Sequence, residues 1–388
     1  MKNYVSLAFS LVVLALSAGA ARAEDEAIRI TRDTVPGITP PVWVSLSGFS
    51  GEAAQAIQFD LYVQGFGFTN AQNAQYVITG GNTGNLQALA LDAVTKHTLL
   101  SKSYSGASLR RQAHAFCDDF VNAIGGKGIA QTKIAFNVQR GPDSEIYVSD
   151  FDGFSPQAVT KDGSLAAGPN WVPGKFELLY SSWKLGNAAI FSQNLATGTR
   201  KRVAWYGGSN LSPAVSADGR KVAMILSKDG WTDLYVADID GSNLRRLTKS
   251  PEDESGPCFS SDGQWICFAA KLKERRSLCK VRVTGGPVER IATVGVSNPT
   301  EPDWSPDGKW IAFTSQGRDF SICVVPAQGG EATPLVGGED PSWSPNSRTL
   351  VFARRAAGTL SLLDVPTKQV KDVARVSSGV ENQPSWAR

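Results

Sequence analysis

The chain has 388 residues, of which 42% are hydrophobic and 19% charged, with 39 Lys and Arg against 36 Asp and Glu and only 2 His. That length exceeds one ordinary core and calls for two domains, or one large repeat domain with a smaller companion. A formal charge of +3 gives no whole-protein electrostatic affinity for nucleic acid, and two histidines argue against His-dependent catalysis and multi-His metal sites.

Residues 1–23 read as a secretory leader. Lys2 precedes an apolar run at 5–18, and Ala21-Arg22-Ala23 fits an A-x-A cleavage site, so the mature chain is expected to start at Glu24. The run is about 14 residues, short of the roughly 20 that span a bilayer. No Cys follows it at a lipoprotein cleavage position, and no transmembrane span is expected in the mature chain. Loss of Lys2 and Arg22 brings the charge surplus from +3 to +1. Export implies an oxidising compartment. The five cysteines (Cys117, Cys258, Cys267, Cys279 and Cys323) are odd in number and contain no C-x-x-C, so buried thiols are expected rather than a disulfide framework.

Residues 24–130 read as a small α/β domain. Strands are expected at 42–46, 76–79, 86–91 and 98–103, and a helix at 52–64. A second helix at 108–124 carries the apolar stripe Leu109, Ala113, Phe116, Phe120 and Ile124. Gly125-Gly126-Lys127-Gly128 ends it and serves as the linker.

Residues 131–388 are repetitive. A Pro-x-aromatic anchor recurs at Pro169-Asn170-Trp171, Pro257-Cys258-Phe259, Pro302-Asp303-Trp304, Pro341-Ser342-Trp343 and Pro384-Ser385-Trp386, with Pro213-Ala214-Val215 as a variant. The spacings are 44, 44, 45, 39 and 43 residues, the period of a four-stranded propeller blade. Asp-Gly turns follow at 218–219, 262–263 and 307–308, supplying the positive φ of a hairpin. Residues 132–160 carry three strands without the anchor strand, and 383–386 carry the anchor strand alone. Each completes the other, predicting a closed ring of six blades with no open sheet edge. The fold class is therefore mainly β: a six-bladed β-propeller preceded by a small α/β domain. The recurrent tryptophans are expected to wedge between blades.

Catalytic sets are missing. No Gly-x-Ser-x-Gly elbow exists, and His97 and His114 both lie in the front domain, where His114 reads as a helix-surface or partly packed residue. Gly125–Gly128 lacks P-loop spacing. Asp150-Phe151-Asp152-Gly153 and Asp238-Ile239-Asp240-Gly241 lack the later acidic ligand of an EF-hand and read as hairpin turns. No catalytic residue, cofactor or metal site is assigned. The basic runs at 245–246, 271–276 and 354–355 read as solvated edges, and no nucleic-acid partner is expected.

With the anchor strand innermost, the segments before it lie at one mouth of the central channel. They hold Ser209, Asn210, Glu252, Asp253, Glu254, Thr300, Glu301, Glu339, Asp340, Glu381 and Asn382. Seven of these are carboxylates, which would form an electronegative funnel for a cation or a basic peptide segment.

At this point the chain resembles the TolB family, the periplasmic propeller component of the Tol–Pal envelope system. Ser-Pro-Asp-Gly stands at Ser305-Pro306-Asp307-Gly308 and is degenerate at 216–219 and 260–263, and Thr300-Glu301-Pro302-Asp303-Trp304 is similar to the family's Thr-Glu-Pro-x-Trp. The resemblance covers nearly the whole mature chain. It implies no catalysis, a periplasmic location, and binding of Pal, the peptidoglycan-associated lipoprotein, at the propeller, including the mouth around Thr300 and Glu301; a monomer is expected. It also implies docking on TolA by the mature N-terminal segment Glu24, Asp25, Glu26, Ala27, Ile28, Arg29 and Ile30, and a role in outer-membrane integrity and invagination at division. Ser209-Asn210-Leu211 departs from the His-Asn-Gly of related rims, and the front domain is shortened. The alternatives are a propeller hydrolase or lyase acting on envelope glycan or peptide, and an adaptor of another envelope complex.

Overall fold

The structure is a computed structural model that describes residues 39–106, 108–272, 274–376 and 379–388. The expected leader and the segment from Glu24 to Ile30 lie outside the described residues. No helix among the described residues is long and apolar enough to cross a membrane.

The front domain is a five-stranded sheet with two helices. Strand β1 (Val42–Ser47) pairs in parallel with β2 (Phe66–Phe68) on one side and β3 (Tyr76–Gly81) on the other. Strands β4 (Leu86–Asp92) and β5 (Thr98–Tyr104) then continue antiparallel. Helix α1 (Gly51–Tyr62) returns the chain from β1 to β2, a three-residue strand too short to carry a sequence pattern. Helix α2 (Leu109–Ala123) starts at Ser108, whose side chain accepts the Arg111 amide at 3.4 Å. It buries Ala113, Phe116 and Phe120 at helical spacing against the sheet and α1.

Six four-stranded antiparallel sheets follow. Blade 1 is the composite one. Its inner strand, Val380–Trp386, pairs with Lys133–Arg140, placing Ser385 opposite Ala135 and Trp386 opposite Ile134. The other inner strands are Ala166–Trp171 (blade 2), Asn210–Val215 (blade 3), Glu254–Phe259 (blade 4), Pro299–Trp304 (blade 5) and Glu339–Trp343 (blade 6). Each touches the next, and the sixth touches the first, so the ring is shut. A parallel pair of two-residue strands, Thr293–Val294 with Gly330–Glu331, was not anticipated and links the connection after blade 4 to blade 5.

The cores lie between blades. One unites Ala223, Ile225 and Val236 of blade 3 with Ile266, Phe268 and Cys279 of blade 4. The anchor aromatics are wedges in these cores: Trp171 donates to Ser385 O at 3.0 Å in the preceding blade, and Trp386 donates to Thr132 Oγ1 at 2.7 Å. The turn after each inner strand is built from its own sequence. Ser305 Oγ donates to Asp307 Oδ1 at 2.6 Å and accepts the Trp310 amide at 3.0 Å, with Gly308 at φ +76°. Ser216 and Ser260 repeat this arrangement. Asp150–Gly153 and Asp238–Gly241 are hairpin turns closed by Gly153 N–H to Asp150 O and Gly241 N–H to Asp238 O.

The front domain joins blades 1 and 6 through one continuous core that includes Phe116, Phe151, Leu362 and Trp386. Thr349 Oγ1 donates to Val63 O at 3.1 Å and Gln369 Nε2 to Phe66 O at 3.1 Å. Thr349 follows the turn at the end of its blade's inner strand. The front domain therefore covers the face where inner strands finish, and the face where they begin points away from it.

All five cysteines are free and buried. Burial pushes the Cys279 and Cys323 thiols up to about 11, and Cys117 and Cys267 well up. Iodoacetamide at pH 8 is expected to leave the folded protein unlabelled and to give five adducts after denaturation without reductant. A denatured count of three would mean a disulfide and overturn this assignment.

Candidate functional site

The site is the propeller axis. Each inner strand carries one residue directly before the anchor proline, and all six are left-handed: Gly168 (φ +59°), Ser212 (+50°), Gly256 (+57°), Glu301 (+52°), Asp340 (+55°) and Gln383 (+48°). Left-handed backbone is costly for non-glycine residues, and more so before proline. Its repetition shows that the fold imposes it. Each inner strand skips register at this point, so these residues stand in bulges, unpaired by their sheet and turned to the axis. They line a cavity of about 170 Å³.

Half of this ring is tied together by side chains. Glu301 Oε2 accepts the Asp340 amide at 3.2 Å, Asp340 Oδ2 accepts the Gln383 amide at 3.1 Å, and Gln383 Oε1 accepts the Gly168 amide at 2.9 Å. Thr314 Oγ1 donates to Glu301 Oε2 at 2.6 Å. Burial and the adjacent Glu301 carboxylate hold the Asp340 carboxyl well above its usual range.

A second ring lies one turn deeper, after the proline. Asn170 Oδ1 accepts the Val215 amide at 2.9 Å, Asp303 Oδ2 the Trp343 amide at 2.7 Å, and Ser342 Oγ the Trp386 amide at 3.1 Å. Each bond ties one blade to the next. Beyond it, a wider cavity of about 270 Å³ opens on the front-domain side. There Arg388 is ion-paired with Asp303 and donates to Trp343 O at 3.3 Å.

The funnel of seven carboxylates does not form as expected. Glu301 and Asp340 line the channel. Asn210, Glu254 and Glu381 each stand three residues before the proline and are buried in the wall between blades. Glu254 Oε2 accepts the Leu234 amide at 2.9 Å, Glu381 Oε2 the Leu360 amide at 3.4 Å, and Asn210 Nδ2 donates to Ala188 O at 3.0 Å. In every case the partner is the second residue of the preceding blade's third strand. These residues staple blades together, and burial pushes the Glu254 carboxyl up to about 7. Thr300 is buried, with its hydroxyl 3.4 Å from Thr314 O. Glu339 is half-buried and lies 3.6 Å from Arg355. The Ser209 amide donates to Ser227 Oγ at 2.7 Å, and Asp253 accepts from Thr232 at 2.9 Å. Glu252 lies in the same approach loop, its amide donating to Ser250 Oγ at 3.1 Å. Gly168, Ser212, Gly256 and Gln383 were missed, although their place directly before each proline was a readable signal.

Around this mouth the hairpins between second and third strands, and the starts of inner strands, expose large apolar side chains: Leu185, Trp231, Leu272, Phe320 and Val380, with Trp231 57% exposed. Leu165, at the start of blade 2's inner strand, joins them, so five of the six blades contribute at least one among the described residues.

A second cluster is internal. His114 on α2 is 3% exposed, deeper than its sequence context suggested. Its Nδ1 meets Asp60 Oδ2 of α1 at 2.7 Å, and its Nε2 meets Asp152 Oδ2 of blade 1 at 3.2 Å. Arg110 pairs with Asp152 at 2.6 Å. Two cations and two carboxylates thus cancel. The imidazole is hydrogen-bonded to Asp60 through Nδ1 and ion-paired with Asp152 through Nε2, so the cluster joins α1, α2 and blade 1.

The TolB beta propeller domain family model matches residues 120–388. A Tol-Pal system protein TolB from Bordetella parapertussis is 32% identical over 303 residues, 76% of this chain and 69% of the relative. The crystal structure of TolB from Acinetobacter baumannii superposes with a TM-score of 0.81 at 22% identity, covering 90% of this chain and 97% of that one. A chain of the nidogen/laminin complex shares the propeller shape alone, with a TM-score of 0.56 at 13% identity, over 66% of this chain and 98% of that one.

Proposed function

The chain belongs to the TolB family of Tol–Pal system proteins, and on that footing we propose that it is a non-enzymatic periplasmic binding platform. Its mouth face grips Pal, the peptidoglycan-associated lipoprotein. The segment from Glu24 to Ile30 docks on TolA, and the assembly supports outer-membrane integrity and invagination during division. The observation that carries this reading is the apolar collar around a polar channel, on the face that the front domain leaves uncovered. Exposed large apolar side chains gathered on one face are what a protein-binding surface requires. Large exposed aromatics in such surfaces are the commonest energetic anchors.

The test is titration of the soluble domain of the organism's Pal-type lipoprotein onto the mature protein. Trp231→Ala is expected to weaken binding by roughly tenfold or more and to leave the melting temperature unchanged, because the side chain is exposed. Absence of binding by the unsubstituted protein would overturn the reading.

A further inference from the structure

The side-chain chain around the axis is incomplete. Blades 5, 6 and 1 place Glu301, Asp340 and Gln383 so that each caps the bulge amide of the next blade. Blades 2, 3 and 4 place Gly168, Ser212 and Gly256 at the same positions. Among the described residues no side chain from these three reaches the next amide, so the Ser212, Gly256 and Glu301 amides are not capped in this way. They stand in bulges, where the neighbouring strand is skipped. A side chain would fit: nothing lies within 4 Å of a Cβ built on Gly168, and one on Gly256 would sit 3.5 Å from the Glu301 nitrogen.

We propose that this open half of the ring is the receptor for an Asn or Gln carboxamide carried on a loop of the partner protein. The inference rests on the reading of the mouth as a partner-binding face and specifies what enters it. The three amides stand at register skips without the side-chain acceptor that their counterparts have, and in a partly desolvated channel an added acceptor is favoured. The opposite half carries the Glu301 and Asp340 carboxyl groups. These disfavour an incoming anion and accept from an NH2 group. A carboxamide meets both sides at once: its oxygen, with two lone pairs, takes up to two of the three amides and its nitrogen faces the carboxyl groups. The cavity of about 170 Å³ admits a side chain and excludes a folded element.

Gly168→Asn and Gly256→Asn would supply the missing cap from within the chain. The conformation is already tolerated before proline at Asp340 and Gln383. Gly168→Ala and Gly256→Ala add the same backbone strain without the acceptor. The expected result is that each Asn variant melts above its Ala counterpart and binds the soluble Pal-type domain at least tenfold more weakly than the unsubstituted protein. The Ala variants are expected to retain binding. Asn variants that melt higher with unchanged affinity would overturn the carboxamide receptor and leave the collar reading standing. Asn variants that melt no higher than Ala would overturn the capping geometry. Failure of the unsubstituted protein to bind would overturn both.

Discussion

Trp386→Ala is expected to lower the unfolding free energy by about 3–5 kcal/mol, the cost of deleting a large aromatic from a packed core. The indole is 2% exposed. It packs on Phe151 with ring centroids 6.4 Å apart, and its nitrogen donates to Thr132 Oγ1 at 2.7 Å. Removing it leaves a cavity in the core shared by the front domain and blades 1 and 6. It also weakens the strand that closes the ring, so the inner edge of Lys133–Arg140 is expected to open first. Urea unfolding of the variant and the parent, with hydrogen exchange at residues 133–140, measures both effects. A loss below about 1 kcal/mol, within the range of an ordinary surface change, would mean that closure does not depend on this wedge.

His114→Asn is expected to cost a similar amount, about 3–5 kcal/mol, because it leaves the buried Asp60 without its cation while Asp152 keeps Arg110. Adding Asp60→Asn should recover part of that loss, since the second substitution removes the charge left unpaired. Burial disfavours the imidazolium, but Asp60 and Asp152 outweigh it and push His114 up to about 10. A cation held above its ordinary value of 6.5 stabilises the fold fully below that pH, and the contribution is lost as pH rises towards 10. Burial pushes Asp60 up to about 6 despite His114, so its ionisation costs stability as pH rises from 3.8 to about 6 and adds no slope above that. Asp152 is held low: burial opposes ionisation, but His114 and Arg110 prevail, so its contribution is lost only in acid. The other charges facing the cluster are Glu52, 3.6 Å from Arg110, and Asp118 on α2. The parent should therefore lose stability between pH 6.5 and 10, and the His114→Asn, Asp60→Asn double variant should not. A parent melting temperature that stays flat across that window would remove the charged junction.

The repeat architecture was legible because it is written in phase. Pro-x-Trp and Asp-Gly recur at fixed spacing, and the unmatched fragments at 132–160 and 383–386 announced the composite blade. Residues of the mouth were legible as a region but not as individuals. Asn210, Glu254 and Glu381 looked like rim groups because they are polar and precede the inner strand. Their equal distance from proline in three blades was the sign of a structural staple, and burial between blades converts them to that role. Glu301 and Asp340 reach the axis because they stand directly before proline, where the bulge turns the backbone inward. His114 was legible only as a non-catalytic residue. Its depth depends on Asp152, which belongs to another domain, and no local pattern encodes that meeting.

The composite blade also sets a timetable. Thr132 and Trp386 are 254 residues apart, so blade 1 stays a three-stranded sheet with a naked margin until residues 380–386 have been made and brought back to it. A sheet lacking its partner strand is an aggregation hazard. Productive assembly therefore waits on the last strand, and residues 133–140 are the edge most exposed to mispairing in that interval.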